Sequence, residues 1–81
     1  MAATKSDIRH WLERADKECT HMIVVCDTFD YDDYPVYVYP HENVRVKEAE
    51  YNGKNMARVM EVYNLKMDIE KQLAEHRSFN Y

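Results

Sequence analysis

The feature that most restricts this chain is the uninterrupted apolar run Met22-Ile-Val-Val-Cys26, set between His21 and Asp27. Successive side chains of a strand point to opposite sides, so a β-branched run with no polar alternation reads as a strand covered on both faces. A strand from Met22 to Thr28 therefore needs a packing layer on each side. One Gly and two Pro in 81 residues are too few for the turns of a sandwich or barrel, which makes the expected class α+β, helices with a little sheet. With 46% hydrophobic and 12% aromatic residues the chain is too apolar to stay disordered. Residues 1–81 read as a single domain. A domain this small buries only about 60% of its unfolded surface, which excludes a self-contained Rossmann, barrel or kinase-type enzyme.

Around the strand, Thr4-Lys-Ser-Asp7 has capping-box spacing, and Ile8, Trp11, Leu12 and Ala15 follow at helical intervals. An N-terminal helix from about Lys5 to Glu18 is expected. Asp30-Tyr-Asp-Asp-Tyr34 is an acidic turn, after which Pro35-Val-Tyr-Val-Tyr-Pro40 alternates valine against tyrosine as a second strand. The two strands make an antiparallel hairpin with a loop of about five residues. Asn43 caps a short helix to about Tyr51, and Asn52-Gly53 breaks it. Beyond the break, Met56, Val59, Met60, Tyr63 and Met67 form one stripe and Val62, Leu65, Ile69 and Leu73 another. That spacing predicts a long C-terminal helix of about 35 Å, with Asn64 a candidate kink.

A two-stranded sheet is not stable alone, and the long helix would outreach it. The economical arrangement is a homo-oligomer, a dimer or more, in which the uncovered sheet face packs on a copy. The alternative leaves Tyr37 and Tyr39 flat on the surface with wet hydroxyls.

The net charge is −4 with no run of Lys or Arg, so DNA is a poor partner. No apolar segment reaches the length of a membrane span, and no signal-peptide pattern precedes the first helix, so a cytoplasmic location and no membrane partner are expected. Cys19 and Cys26 suit free thiols in a reducing compartment. With His21 and His41 they match no zinc spacing, and Cys26 lies inside the apolar strand without an orienting base, so neither a metal, a cofactor nor catalysis is expected. From Glu18 to Asn43 there is no Lys or Arg but six carboxylates, Glu18, Asp27, Asp30, Asp32, Asp33 and Glu42. Without Gly or a closing Glu this is no calcium loop, and it reads first as a solvated turn whose Asp side chains bond nearby backbone N–H groups.

One polar and aromatic set remains: Tyr34, Tyr37 and Tyr39 from the hairpin, Arg45 and Lys47 after it, and Lys54, Asn55 and Arg58 where the long helix would start. Tyrosines stack on bases, Lys54 and Arg58 one helical turn apart meet phosphates, and Asn55 reads a base edge. Doubled across a two-fold axis, the set suits a cyclic dinucleotide, although ordinary surface residues explain the spacing as often.

His21-Met-Ile-Val-Val-Cys-Asp-Thr-Phe-Asp-Tyr-Asp-Asp-Tyr-Pro-Val-Tyr-Val38, with Tyr51-Asn-Gly-Lys-Asn-Met56 and Val59-Met-Glu-Val-Tyr63, resembles a family of small phage-type accessory proteins over about three quarters of the chain. The resemblance implies a protein acting in the cytoplasm of an infected bacterium against anti-phage defence, and carries no functional residue with it. Two expectations follow. One is a non-enzymatic sponge of the anti-CBASS kind that sequesters a cyclic nucleotide signal through Tyr37, Tyr39, Arg45, Lys54, Asn55 and Arg58. The other is an inhibitor that presents the acidic hairpin to a host defence protein.

Overall fold

A computed structural model describes residues 3–53 and 56–81. The class is α+β, in the order α1 (Lys5–Glu13), β1 (His21–Asp27), β2 (Asp32–Val38), α2 (Val44–Tyr51), β3 (Ala57–Asn64) and α3 (Ile69–Ala74). The sheet has three antiparallel strands in the order β2-β1-β3, so the apolar run occupies the centre. Met22, Ile23, Val24 and Val25 are each at most 1% exposed, as a strand covered on both faces requires.

The two covering layers come from the chain itself. Ile23 and Val25 pack with Val38, Ala57, Val59 and Val62 on the face under Val44 and Tyr51 of α2. Met22 and Val24 pack with Tyr63 on the other face, closed by Ile8, Trp11 and Leu12 of α1 and by Ile69 and Leu73 of α3. Each of these fully buried aliphatic side chains contributes about 1.5–3 kcal/mol. The case for a second copy rested on an uncovered two-stranded hairpin, and a third strand with helices on both faces removes that need.

The long C-terminal helix is replaced by β3, a turn and the short α3. Between Val24 and Val25 the pairing shifts: Val24 faces Glu61 while Val25 faces Val59, leaving Met60 without a partner. This β-bulge moves the strand's alternation by one residue. Its core-facing residues on the α2 side are therefore Ala57, Val59 and Val62, and the three-residue step imitates a helical interval. Val59 and Val62, stiff at χ1, favour the pleated alternative. Asn64 ends the strand instead of kinking a helix, its Oδ1 accepting from the Lys66 N–H at 2.9 Å. Asp68 then caps α3 by accepting from the Lys71 N–H.

Other boundaries move for local reasons. Thr4 and Asp7 form the expected capping box of α1, but the helix stops at Glu13, short of Glu18. Asp16 draws the chain into a turn there, accepting the Glu18 N–H on its side chain and the Cys19 N–H on its carbonyl. The hairpin loop shrinks to residues 28–31, so Asp32 and Asp33 lie in β2. Asn43 caps α2 as expected, with its side chain accepting from Arg45 and Val46, and Gly53 follows the helix at φ 79°.

Both outer strands are protected. Pro35 has no N–H to donate, so opposite Val24 in the edge strand β2 it interrupts that strand's outward row of donors. Along β3, Ala57 O accepts from the Gly53 N–H, Val59 N–H donates to Asn52 Oδ1, and Val62 bonds both Ser78 and Asn80.

Candidate functional site

The residues expected to hold a nucleotide do not form one pocket. Tyr37 pairs with Met22, packs beneath α1, and donates its hydroxyl to the Trp11 carbonyl at 2.9 Å. Burial pushes its ionisation upward. Tyr39 follows the end of β2 and stacks on His41 with centroids 6.2 Å apart. A hydrogen bond with Cys19 raises its pKa. Arg45 belongs to α2 on the opposite face of the sheet, its guanidinium carbon 3.9 Å from the centre of the Tyr81 ring. Arg58 is exposed on β3 in register with Cys26, four residues along β1 from the Tyr37 pair, or about 13 Å. Lys54 and Asn55 lie outside the described residues.

Neither cysteine is set up for chemistry. Both are free, and Cys19 rather than Cys26 is the fully buried one. Burial first, then a hydrogen bond and charge from Asp33, pushes the Cys26 thiol up, away from the thiolate a nucleophile needs. Among the described residues no group of three or more His, Cys, Asp and Glu side chains could hold a metal ion, and no helix is long and apolar enough to cross a membrane.

What the fold does assemble is the tip of the β1–β2 hairpin. Asp27 Oδ1 accepts the Phe29 N–H at 2.8 Å, Asp30 Oδ1 accepts the Asp32 N–H at 3.2 Å, and the Tyr31 N–H closes the loop on the Asp27 carbonyl at 2.7 Å. Asp27 and Asp30 bond local backbone groups, as their turn-forming character implied, whereas Asp33 Oδ2 accepts the distant Ala3 N–H at 2.9 Å. A second loop is tied to this one: the carbonyl of Met56 accepts both the N–H and the hydroxyl of Thr28, at 2.7 and 2.8 Å.

Two side chains in these loops sit on unfavourable backbone. Tyr31 and Met56 both have φ near +60°, a region that suits Gly and costs other residues about 1–2 kcal/mol. Neither recovers that cost by burial, since Tyr31 is 67% and Met56 56% exposed, and Phe29 beside them is 75% exposed. Asp27, Asp30, Asp32 and Asp33 flank Phe29 and Tyr31 in the sequence of the tip, whereas Met56 is followed two residues on by Arg58. The signal legible in the sequence was two aromatic rings, Phe29 and Tyr31, placed among turn formers with no strand or helix period to bury them. No family model, curated protein or solved structure matches the chain.

Proposed function

We propose that the chain is a non-enzymatic binding protein that docks on a partner protein through the acidic tip of its hairpin. In the setting implied by the resemblance to phage-type accessory proteins, that partner is a host defence enzyme with a basic surface, and docking inhibits it. The observation that carries this reading is Tyr31: a large ring held outside the fold on backbone that costs stability. Local strain without an internal return is kept where a binding surface uses it. The four aspartates outnumber the exposed Arg58 beside them on β3 and leave the tip net negative, and interfaces between charged partners are steered by such fields.

A cyclic nucleotide has less geometric support as the ligand. Tyr37 spends its hydroxyl within the fold, Arg45 lies against Tyr81, and Arg58 is the one described member of the set near the tip.

The test is capture from bacterial lysate with the intact protein and with the triple variant D30N/D32N/D33N. One host protein retained by the wild type, lost with the variant, and lost when salt rises from about 50 to about 300 mM is the expected result, because exposed charges are screened beyond about 10 Å already at 0.1 M. Retention by the variant at unchanged strength would refute the acidic-tip reading. A thermal-shift series with cyclic di- and trinucleotides runs alongside: saturation at 100 times Kd would stabilise the fold by about 2.7 kcal/mol and return the nucleotide reading to first place.

A further inference from the structure

Charge alone does not explain why the tip carries exposed apolar side chains on strained backbone. Phe29 and Tyr31 leave from the β1–β2 loop, and Met56 from the loop that enters β3. The two bonds from Thr28 to the Met56 carbonyl fasten these loops to each other, next to Phe29 in sequence. Within each loop the positive φ fixes where the side chain leaves the backbone. Phe29 and Tyr31 sit in a loop closed on the Asp27 carbonyl and tied through Thr28 to Met56, so these side chains lose little backbone entropy on docking, which is the condition under which a few apolar anchors give measurable affinity.

The sign of the surrounding charge selects what can cover these anchors. A second copy would bring Asp27, Asp30, Asp32 and Asp33 against themselves. Nucleic acid and anionic lipid would oppose them with phosphates. A protein surface with Lys and Arg around an apolar slot meets both the charge and the exposed rings.

We infer that Phe29, Tyr31 and Met56 form a two-loop anchor that inserts into an apolar slot bordered by basic side chains on a partner protein. This inference rests on the reading of the chain as a protein-binding module and adds the recognition chemistry of its partner. The aspartates steer and orient the encounter, and the apolar anchors hold the complex. Arg58, one rung inward from Ala57 and opposite Cys26, stands behind the anchors on β3.

The experiment uses the full-length protein labelled for amide NMR and three short synthetic peptides of alternating composition: Lys with Leu, Lys with Ser, and Glu with Leu. The Lys/Leu peptide should shift the amides of Thr28–Asp32 and Met56, the Lys/Ser peptide should bind there about tenfold more weakly or not at all, and the Glu/Leu peptide should leave them unmoved. F29A and Y31A, both changed at exposed positions, should keep the native amide pattern elsewhere and weaken Lys/Leu binding by about tenfold. Equal binding of the Lys/Ser and Lys/Leu peptides would overturn the apolar anchor while leaving the acidic-tip reading intact. Binding of the Glu/Leu peptide at the tip, or Lys/Leu shifts confined to other surfaces, would overturn the inference. No response of the tip to any peptide would count against both the anchor and the acidic-tip reading.

Discussion

The side-chain amide of Gln72 closes the end of β3 by bonding both backbone groups of Asn64, accepting its N–H at 2.7 Å and donating to its carbonyl at 2.9 Å. One glutamine thus does what an added strand residue would do. It also donates to the Asp68 carbonyl at 3.1 Å and is 1% exposed, so α3 is locked to the sheet through a fully buried polar contact. Replacing Gln72 by Leu keeps the volume but strands the Asn64 N–H, at a cost of about 1–3 kcal/mol, while the Asn64 carbonyl keeps the Met67 N–H and the Asp68 carbonyl keeps the Gln72 N–H. We expect Gln72→Leu to lower the unfolding free energy by about 1–3 kcal/mol, read by urea denaturation. A change under about 0.5 kcal/mol would mean that water replaces the amide.

Glu61 performs a second closure on the same strand. Its Oε1 accepts from Lys5 Nζ at 2.9 Å, from the Tyr63 hydroxyl at 2.9 Å and from the Ser78 N–H at 3.0 Å, joining α1, β3 and the segment that follows α3. The Glu61 side chain is 9% exposed and that of Lys5 42%, so the pair sits at the edge of the core with the carboxylate inside. Glu61→Ala should cost about 2–4 kcal/mol, chiefly by leaving the Ser78 N–H and the Tyr63 hydroxyl proton without an acceptor, while the hydroxyl oxygen keeps Lys5 Nζ at 3.1 Å. Hydrogen exchange gives the sharper readout. The amide of Ser78 should lose protection well before those of Ile23 and Val25, because its partner is gone while the central strand is intact. Equal protection of Ser78 in both proteins would show that its closure does not depend on Glu61.

The sequence made the centre of this fold legible and concealed its edge. Met22 to Val25 announced a strand buried on both faces, and Thr4, Asp7 and Asn43 announced two helix starts, because each signal is local. Asn52-Gly53 marked the break after α2 for the same reason. What failed was the period of Ala57 to Tyr63. A bulge at Met60 places Val59 and Val62 three residues apart on one face, a step that matches a helical one in spacing, so that only the β-branching of the two valines speaks for a strand. Reading β3 as helix leaves β1 without cover, which calls for a second copy and leaves Tyr37 and Tyr39 free to serve as a site. In the fold, the ring of Tyr37 helps fill the layer beneath α1. The tip is half legible: Asp27 and Asp30 form the local turn bonds expected of them, but Asp32 and Asp33 join β2, and the positive φ of Tyr31 belongs to a four-residue loop that only the pairing of Asp27 with Asp32 defines.

That φ gives a prediction in which stability and binding part company. Tyr31→Gly removes a cost of about 1–2 kcal/mol in the folded loop and adds about 0.5–1 kcal/mol of backbone entropy to the unfolded chain. The net expectation is a protein more stable by about 0.5–1 kcal/mol in thermal or chemical unfolding, since the ring it loses is mostly exposed. The same substitution should weaken capture of the partner, because the ring is one of the anchors. A destabilised Tyr31→Gly would show that the ring packs within the fold and would remove the argument from strain.

The pH dependence follows from two sets of groups with opposite signs. The Thr4 backbone N–H and hydroxyl hold Asp7 below the usual carboxylate range, Lys47 and the Tyr39 N–H do so for Glu42, and Arg9 does so for Glu70. A carboxyl whose folded pKa is depressed stabilises the fold above its unfolded pKa, near 4, and that contribution disappears as pH falls through the folded value. Tyr63 behaves in the reverse sense: burial first, then its hydrogen bond to Glu61, pushes its ionisation upward, so the folded state keeps a proton that the unfolded chain releases near pH 10. Its contribution is fully present below that point and is lost as pH rises through the folded value. Stability should therefore form a plateau from about pH 5 to about pH 9 and fall on both sides. Tyr63→Phe should flatten the alkaline limb while leaving the acid limb in place, as measured by Tm against pH. An alkaline limb that survives this substitution would assign it to another group, such as Tyr37, whose ionisation burial also raises.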